Sequence, residues 1–323
     1  MLHFADLILH GETLRSRLCP KRLVGVAILA TLSLTGCGGD SQMGAAVGAA
    51  VKTPTVTDIQ PDRLSYRQVT QFRVIGTALD TTVTATARNC SGLVAVAPSA
   101  GSIATSTTEL NWRCSPTATG AAAVELQVKG TGSTLLKSVS FNVPDPQVTM
   151  MTSLGTLVVE LNPTAVPTTV DNFLQYVRDG FYTNTLFHRV IGGFVAQGGW
   201  LIPASGPGGA LISTAITAPT VQSGARTAII LESNKGLPNV RGTLAMARTA
   251  DANSATSQFY FNLVDNAALN YVSDAQPGYA VFGRVIQGLP VMDAIGSVTT
   301  ATRFGLTDFP VADVLLQSAT QSK

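Results

Sequence analysis

Between residues 56 and 143 the chain is assembled from short segments in which apolar and polar side chains alternate with a period of two, namely QFRVIG, TVTATARNC, LVAVAP, TELNWRC, AAVELQVKG and LLKSVSFNV. Such alternation sends successive side chains to opposite faces of a strand, one face for a core and one for solvent. About seven such segments at spacings of about 8–12 residues predict a β-sandwich. Pro144, Asp145 and Pro146 then form a short stiff joint, after which the texture changes. VTMMTSLGTLVVEL reads as a hairpin with Leu154 and Gly155 at its turn. A single amphipathic helix is predicted over 166–178, with Pro167 in its first turn, Val170, Phe173, Leu174 and Val177 on one face and Gly180 as its stop. Strand-like segments follow at 227–231, 242–247, 258–263 and 280–285, then a short helix at 291–295 and a last strand at 314–319. Many strands, two helices and long loops predict a mainly β chain whose second part is a closed barrel covered by those helices.

With 323 residues the chain has room for two domains. Charged residues make up 12% and the net charge is +2, against about 25% charged in ordinary soluble domains. No run of Lys and Arg follows the first residues, so the footprint of a nucleic-acid binder is missing. Arg15, Arg17, Lys21 and Arg22 precede an apolar run over 23–34 that is too short to span a bilayer and ends in Leu34, Thr35, Gly36 and Cys37. This ending resembles the lipobox of bacterial lipoproteins. The resemblance implies a signal peptide at 1–36, acylation of Cys37, a Gly/Ala-rich tether over 37–55, and an envelope location, lipid-anchored in the outer membrane and facing the periplasm. An ordinary secretory signal is the alternative. With Cys19 lost and Cys37 acylated, Cys90 and Cys114 remain, and an exported chain would join them as a disulfide, which would stabilise it by roughly 3 kcal/mol. Two separate buried thiols would fit the spacing as well.

Ile59, Pro61, Val74, Ile75, Gly76 and Leu79 open the 56–143 segment in a pattern that resembles the immunoglobulin-like folds of the IPT/TIG type. Trp112 beside Cys114 suits a core in which an aromatic ring packs near the disulfide. No catalytic constellation occurs in this segment, which reads as a spacer or docking domain.

Chemistry is confined to few residues. Of three histidines, His3 and His10 belong to the leader and only His188 is left, too few for a His-built zinc site. There is no HExxH, no phosphate loop and no GxSxG. The stretch LFHRVIGGFVAQGGW at 186–200 is the unusual one. As a single extended strand it places Arg189, Val195 and Gln197 on one face and His188 and Val190 on the other. Gly192 and Gly193 allow a bend or bulge that brings Phe194 to the Arg189 face. The product is an apolar floor bordered by two hydrogen-bonding groups that do not titrate near neutral pH, though a core strand with one snorkelling arginine has the same spacing.

FHRVIGGFVAQGG, followed in order by RGTLAMARTADANSATSQFYFNLVDN at 241–266 and GYAVFGRV at 278–285, resembles the cyclophilins, and the second block the bacterial members in particular. The resemblance implies a peptidyl-prolyl cis/trans isomerase domain over 147–323, folded as an eight-stranded antiparallel β-barrel capped by two helices, with no cofactor and no metal. It assigns Arg189 as the catalytic arginine, Phe194 to the floor of the proline pocket and Gln197 to the substrate backbone. Val195, Tyr260 and Leu269 complete the pocket, Ala247 and Arg248 flank the peptide, Gln258 is a second polar group, and Tyr279 stands where many eukaryotic members have His. Gly192 replaces the usual Pro and Val195 the usual Met, while Ala268 replaces the Trp of cyclosporin-sensitive members and implies weak binding of that drug. The implied substrates are proline-containing segments of unfolded or extended envelope proteins, handled by a monomer. Two other readings remain open: a peptide-binding holdase with little turnover, and a chain whose first domain, as an adhesin or docking module, is the principal functional part.

Overall fold

The computed structural model describes residues 52–96, 108–205, 210, 211, 213, 214, 217–235 and 237–323. The leader at 1–36, Cys37 and the tether up to residue 51 lie outside the described residues. Seven strands come first: β1 (Thr55–Pro61), β2 (Thr70–Thr77), β3 (Thr84–Arg88), β4 (Cys90–Val96), β5 (Glu109–Pro116), β6 (Gly120–Lys129) and β7 (Leu135–Val143). They form a four-stranded sheet in the order β1-β2-β5-β4 and a three-stranded sheet in the order β3-β6-β7. The alternation in the sequence is obeyed, since Phe72 and Val74 of β2 and Val124, Leu126 and Val128 of β6 are buried in one core. Phe72 of one sheet meets Phe141 of the other at 5.4 Å between ring centroids. Cys90 and Cys114 are joined as a disulfide between neighbouring strands, with Cα atoms 5.6 Å apart, and Trp112 is buried two residues before Cys114.

After Pro146 the chain forms β8 (Gln147–Thr152), β9 (Gly155–Leu161), α1 (Pro167–Arg178), β10 (Thr185–Ile191), β11 (Val195–Gly198), β12 (Leu201–Ile202), β13 (Thr220–Val221), β14 (Thr243–Met246) and β15 (Phe259–Asn262). It ends with β16 (Val281–Gln287), α2 (Leu289–Gly296), β17 (Thr300–Arg303), β18 (Leu306–Pro310) and β19 (Leu315–Gln321). Eight of these strands close into an antiparallel barrel in the order β10-β11-β15-β14-β16-β9-β8-β19, with β19 hydrogen-bonded to both β8 and β10. Phe259 and Phe261, Leu244 and Met246, and Val148 and Met150 fill its interior.

The helix α1 buries Val170, Phe173, Leu174 and Val177, as its periodicity predicts, and packs Phe173 against Phe282, Tyr182 and Phe259 at 5.0, 5.2 and 5.8 Å. It stops at Gly180, whose φ of 68° few other residues tolerate. The segment expected as a strand at 227–231 makes only an isolated bridge, Ile229 to Ala255, and Ile230 is 63% exposed. What this segment delivers is Glu232, whose buried carboxylate accepts the Thr168 and Thr169 N–H groups (3.3 and 2.8 Å) and the Thr169 hydroxyl (2.7 Å). An anion is favourable at a helix N-terminus, where free N–H groups and the helix dipole converge, so the segment is held by capping instead of pairing.

The sheets of 55–143 are tied to α1. Arg67 donates to both carboxylate oxygens of Asp171 at 2.9 and 2.5 Å, and the Tyr66 hydroxyl donates to the same group at 2.9 Å. Burial, reinforced by the Asp171 charge, pushes the Tyr66 phenol up to about 12. From the last barrel strand, the Gln321 amide donates to the Tyr66 carbonyl at 2.9 Å.

Candidate active site

The stretch at 186–200 is not one strand but a hairpin. β10 and β11 are joined at Gly192 and Gly193, where Gly193 has φ of 71° and the Phe194 N–H closes the turn on the Ile191 carbonyl at 3.0 Å. The bulge lies elsewhere than the glycines. Phe187 pairs with Gly198 and Arg189 with Gln197, leaving His188 as an extra residue on β10. Such an insertion interrupts the period of two. Phe187 and Val190 both belong to the barrel interior, whereas His188 packs edge-on against Trp200 at 5.2 Å and Arg189 lines an outer cavity. The expectation that His188 and Val190 share a face is therefore wrong. The grouping of Arg189 with Val195 and Gln197 holds, because cross-strand pairing brings them together.

The cavity has a volume of about 220 Å³ and is lined by Arg189, Phe194, Val195, Gln197, Ala247, Arg248, Tyr260, Leu269 and Tyr279. Its apolar part is a second cluster separate from the main core, with Val195, Ala245, Tyr260 and Val281 buried and Phe194, Leu269 and Tyr279 packed on them. Alternation on the barrel wall explains the division. Along β15, Phe259 and Phe261 face inward while Tyr260 faces the cavity, and along β14, Leu244 and Met246 face inward while Ala245 faces outward. Gln258 does not line the cavity but accepts a hydrogen bond from the Gln197 amide at 2.9 Å, fixing its orientation. The Ala247 N–H is committed to the Gln258 carbonyl at 2.9 Å, so its carbonyl is the group it can offer to a peptide.

Behind the cavity is a buried amide network that the sequence did not reveal. The Asn239 side-chain oxygen accepts from the Tyr260 hydroxyl (2.8 Å) and from Asn262 (3.1 Å), while its amide donates to the Leu269 carbonyl (3.0 Å). Asn266 donates to Asn262 (2.8 Å) and to the Phe194 carbonyl (3.0 Å). Three walls of the cavity, Phe194, Tyr260 and Leu269, are thus held by two asparagines, Asn239 and Asn266, which Asn262 links. Asn262 closing an otherwise aromatic strand, FYFN, was the available signal. Leu269 also accepts the Tyr279 N–H at 2.9 Å, an approach that requires Gly278, since a Cβ there would lie 2.5 Å from the Asn270 backbone.

Two cations face this cavity. The Arg189 guanidinium makes no ion pair or hydrogen bond with any described residue. Arg248 lies 4.6 Å over the Tyr279 ring and donates to the Gly278 and Thr249 carbonyls at 3.0 and 2.8 Å. Burial pushes the Tyr260 phenol well up and nearby Tyr279 adds to this, against the opposing charge of Arg248. Burial pushes His188 down to about 4, and its Nδ1 has no hydrogen-bond partner. The imidazole is therefore neutral at pH 7 and does not line the cavity, lying behind it against Trp200 and Gln258. Among the described residues no cluster of His, Cys, Asp and Glu is arranged to hold a metal ion.

Residues 147–321 match the family described as cyclophilin type peptidyl-prolyl cis-trans isomerase/CLD. The chain is 44% identical over 174 residues to peptidyl-prolyl cis-trans isomerase cyp18 of Streptomyces antibioticus, covering 53% of this chain and 96% of that one. It is 42% identical over 178 residues to peptidyl-prolyl cis-trans isomerase B of Escherichia coli K12, covering 54% of this chain and 99% of the relative. A crystal structure of a cyclophilin-type isomerase of Cryptosporidium parvum superposes with a TM-score of 0.43 at 24% identity, over 55% of this chain and 98% of the other. The chain belongs to the cyclophilin-type peptidyl-prolyl cis-trans isomerases. Its mainly β fold, closed eight-stranded barrel and enzyme class are those the sequence led us to expect.

Replacing Asn239 by Ala strands the Tyr260 hydroxyl and one of the two Asn262 amide N–H bonds in a buried site, and should destabilise the protein by about 2 kcal/mol or more in urea unfolding. His188 supplies a pH test. Its pKa is lower folded than unfolded, so the unfolded state takes up the proton first as pH falls. Stability is then constant above the unfolded value and drops as pH falls from about 6.5 to about 4, by roughly 3 kcal/mol in all. In His188→Gln this part of the acid sensitivity should vanish from unfolding curves taken across that range.

Proposed function

We propose that the cavity holds the X-Pro dipeptide of an extended chain and that Arg189 lowers the barrier to its rotation. The amide barrier of about 18–20 kcal/mol arises because the nitrogen lone pair is delocalised into the carbonyl, and unaided X-Pro bonds take tens to hundreds of seconds to isomerise. No covalent bond has to break. Phe194, Val195, Tyr260 and Leu269 supply a surface for the proline ring, and Gln197, held by Gln258, supplies an amide for the peptide backbone. Arg189 donates to the proline carbonyl and toward the nitrogen lone pair that twisting releases. Rate rises only to the extent that these bonds are stronger at the twist than in either planar state. The observation that carries this reading is an uncommitted guanidinium in the same small cavity as the apolar ring-holding residues. Nothing in the cycle calls for a general base, which agrees with the neutral, buried His188 that does not line the cavity.

The enzyme acts, in this reading, as a monomer on exported proteins at the bacterial envelope, held by lipid on Cys37. Support comes from the lipobox-like ending Leu34, Thr35, Gly36, Cys37 and from the Cys90–Cys114 disulfide, which suits an oxidising compartment. The two sheets of 55–143 are read as an immunoglobulin-like spacer or docking domain, on the strength of their four-plus-three strand arrangement and the buried Trp112 next to the disulfide.

Arg189→Ala should lower kcat/KM on a proline test peptide by about tenfold or more while the urea midpoint is kept; unchanged turnover would defeat the assignment. In cells, the chain should fractionate with membranes and Cys37→Ala should move it to the soluble fraction, since stable anchoring depends on the acyl chains.

A further inference from the structure

We propose that Arg248, with Arg189, makes the cavity selective for proline segments that carry a carboxylate, Asp or Glu, next to the X-Pro dipeptide. This rests on reading the cavity as the X-Pro site, and extends it to the class of sequence preferred.

Among the described residues nine line the cavity; two of these are arginines and none is acidic. Six arginines elsewhere among the described residues sit against carboxylates: Arg67 with Asp171, Arg73 with Glu109, Arg88 with Glu125, Arg226 with Asp179, Arg241 with Asp293 and Arg284 with Glu160. Arg248 is not among them; like Arg303, it is held by backbone carbonyls and an aromatic face. The partners of Arg248 are the Gly278, Thr249 and Ala250 carbonyls and the face of Tyr279, all neutral. They fix the guanidinium in place without cancelling its charge. None of the acidic groups of the surrounding loops forms an ion pair with it, and each has another partner. Asp251 accepts the Asn253 N–H at 2.9 Å, Asp265 the Arg241 N–H at 2.8 Å, Asp274 the Tyr271 hydroxyl at 2.9 Å, and Glu232 caps α1.

Two permanent positive charges bordering a half-enclosed apolar cavity create a field that a peptide carboxylate feels favourably and a lysine unfavourably. Because Arg248 is already positioned by its neutral partners, little side-chain freedom is lost when a carboxylate arrives. Charge at the rim acts on encounter and binding, so the effect belongs in kcat/KM and weakens as salt rises.

The test uses the full chain and two peptide series, Ala-X-Pro-Phe and Ala-Ala-Pro-X, with X as Glu, Gln or Lys. Isomerisation is measured at low and high salt, about 0.05 and 0.5 M. In at least one series kcat/KM for Glu should exceed that for Lys by about three- to tenfold at low salt, the size expected of partly screened unit charges, and the ratio should fall toward one at high salt. Arg248→Gln should collapse the ratio and Arg248→Lys should retain most of it. If Arg248 only anchors the Tyr279 loop, Arg248→Gln will slow Glu and Lys peptides equally, and the proposal is overturned. Equal rates for Glu, Gln and Lys in both series overturn it too, while leaving the isomerase reading intact. If no peptide is turned over at all, the isomerase reading of the cavity falls, and the charge preference with it.

Discussion

One extra residue on a barrel strand decides where the chemistry of this protein can be. Regular alternation along β10 would send Phe187 inward, His188 outward and Arg189 inward again, into the company of Phe261 and Phe259. A guanidinium there would be an unpaired charge in an apolar core, which costs far more than a domain's whole stability margin. The bulge at His188 places two consecutive residues on the outer face, so Arg189 emerges beside Val195 and Gln197 and Val190 returns to the interior. Pairing of β11 with β15 then sets Tyr260 opposite Gln197, and the cavity is complete.

The barrel wall is therefore a partition with different tasks on its two sides. Inside, phenylalanines from β15, β16 and α1 make the contacts that hold the barrel. Outside, Tyr260, Ala245 and Val281 of the barrel strands make a hollow whose walls are immobilised by asparagine amides instead of by packing alone. Amides suit that position because they supply several donors and acceptors without carrying a charge or a proton that titrates. A fully satisfied network of this kind rigidifies what it touches, whereas the same groups unsatisfied would destabilise it.

Much of this was legible in the sequence, for identifiable reasons. Period-two patterning gave the strands of 55–143, and the spacing of Val170, Phe173, Leu174 and Val177 between Pro167 and Gly180 gave α1 almost to the residue. The ordered motifs gave nine cavity residues that the structure brings together, with Gln258 one step behind. The bulge was not legible, because a one-residue slip in register depends on the partner strand and leaves no mark on β10 alone. Asn239 was passed over for a similar reason, since its partners Tyr260 and Leu269 lie far along the chain. The 227–231 segment has a strand's composition, yet its place is fixed by the carboxylate of Glu232 beyond its end, a tertiary contact that local propensity does not encode.

The order of strands in the barrel has its own consequence. β8 opens the barrel and β19 closes it, and the two are neighbours, with the Ser322 N–H bonded to the Gln147 carbonyl at 2.8 Å. A polypeptide delivered N-terminus first must keep β8 waiting with one raw edge through the synthesis of more than half of its length, and β10 shares that wait. Only the arrival of 315–321 seals both edges at once. Loss of those few terminal residues would leave two open edges primed for pairing with other copies, so the final strand acts as the clasp that separates a finished molecule from an aggregating one.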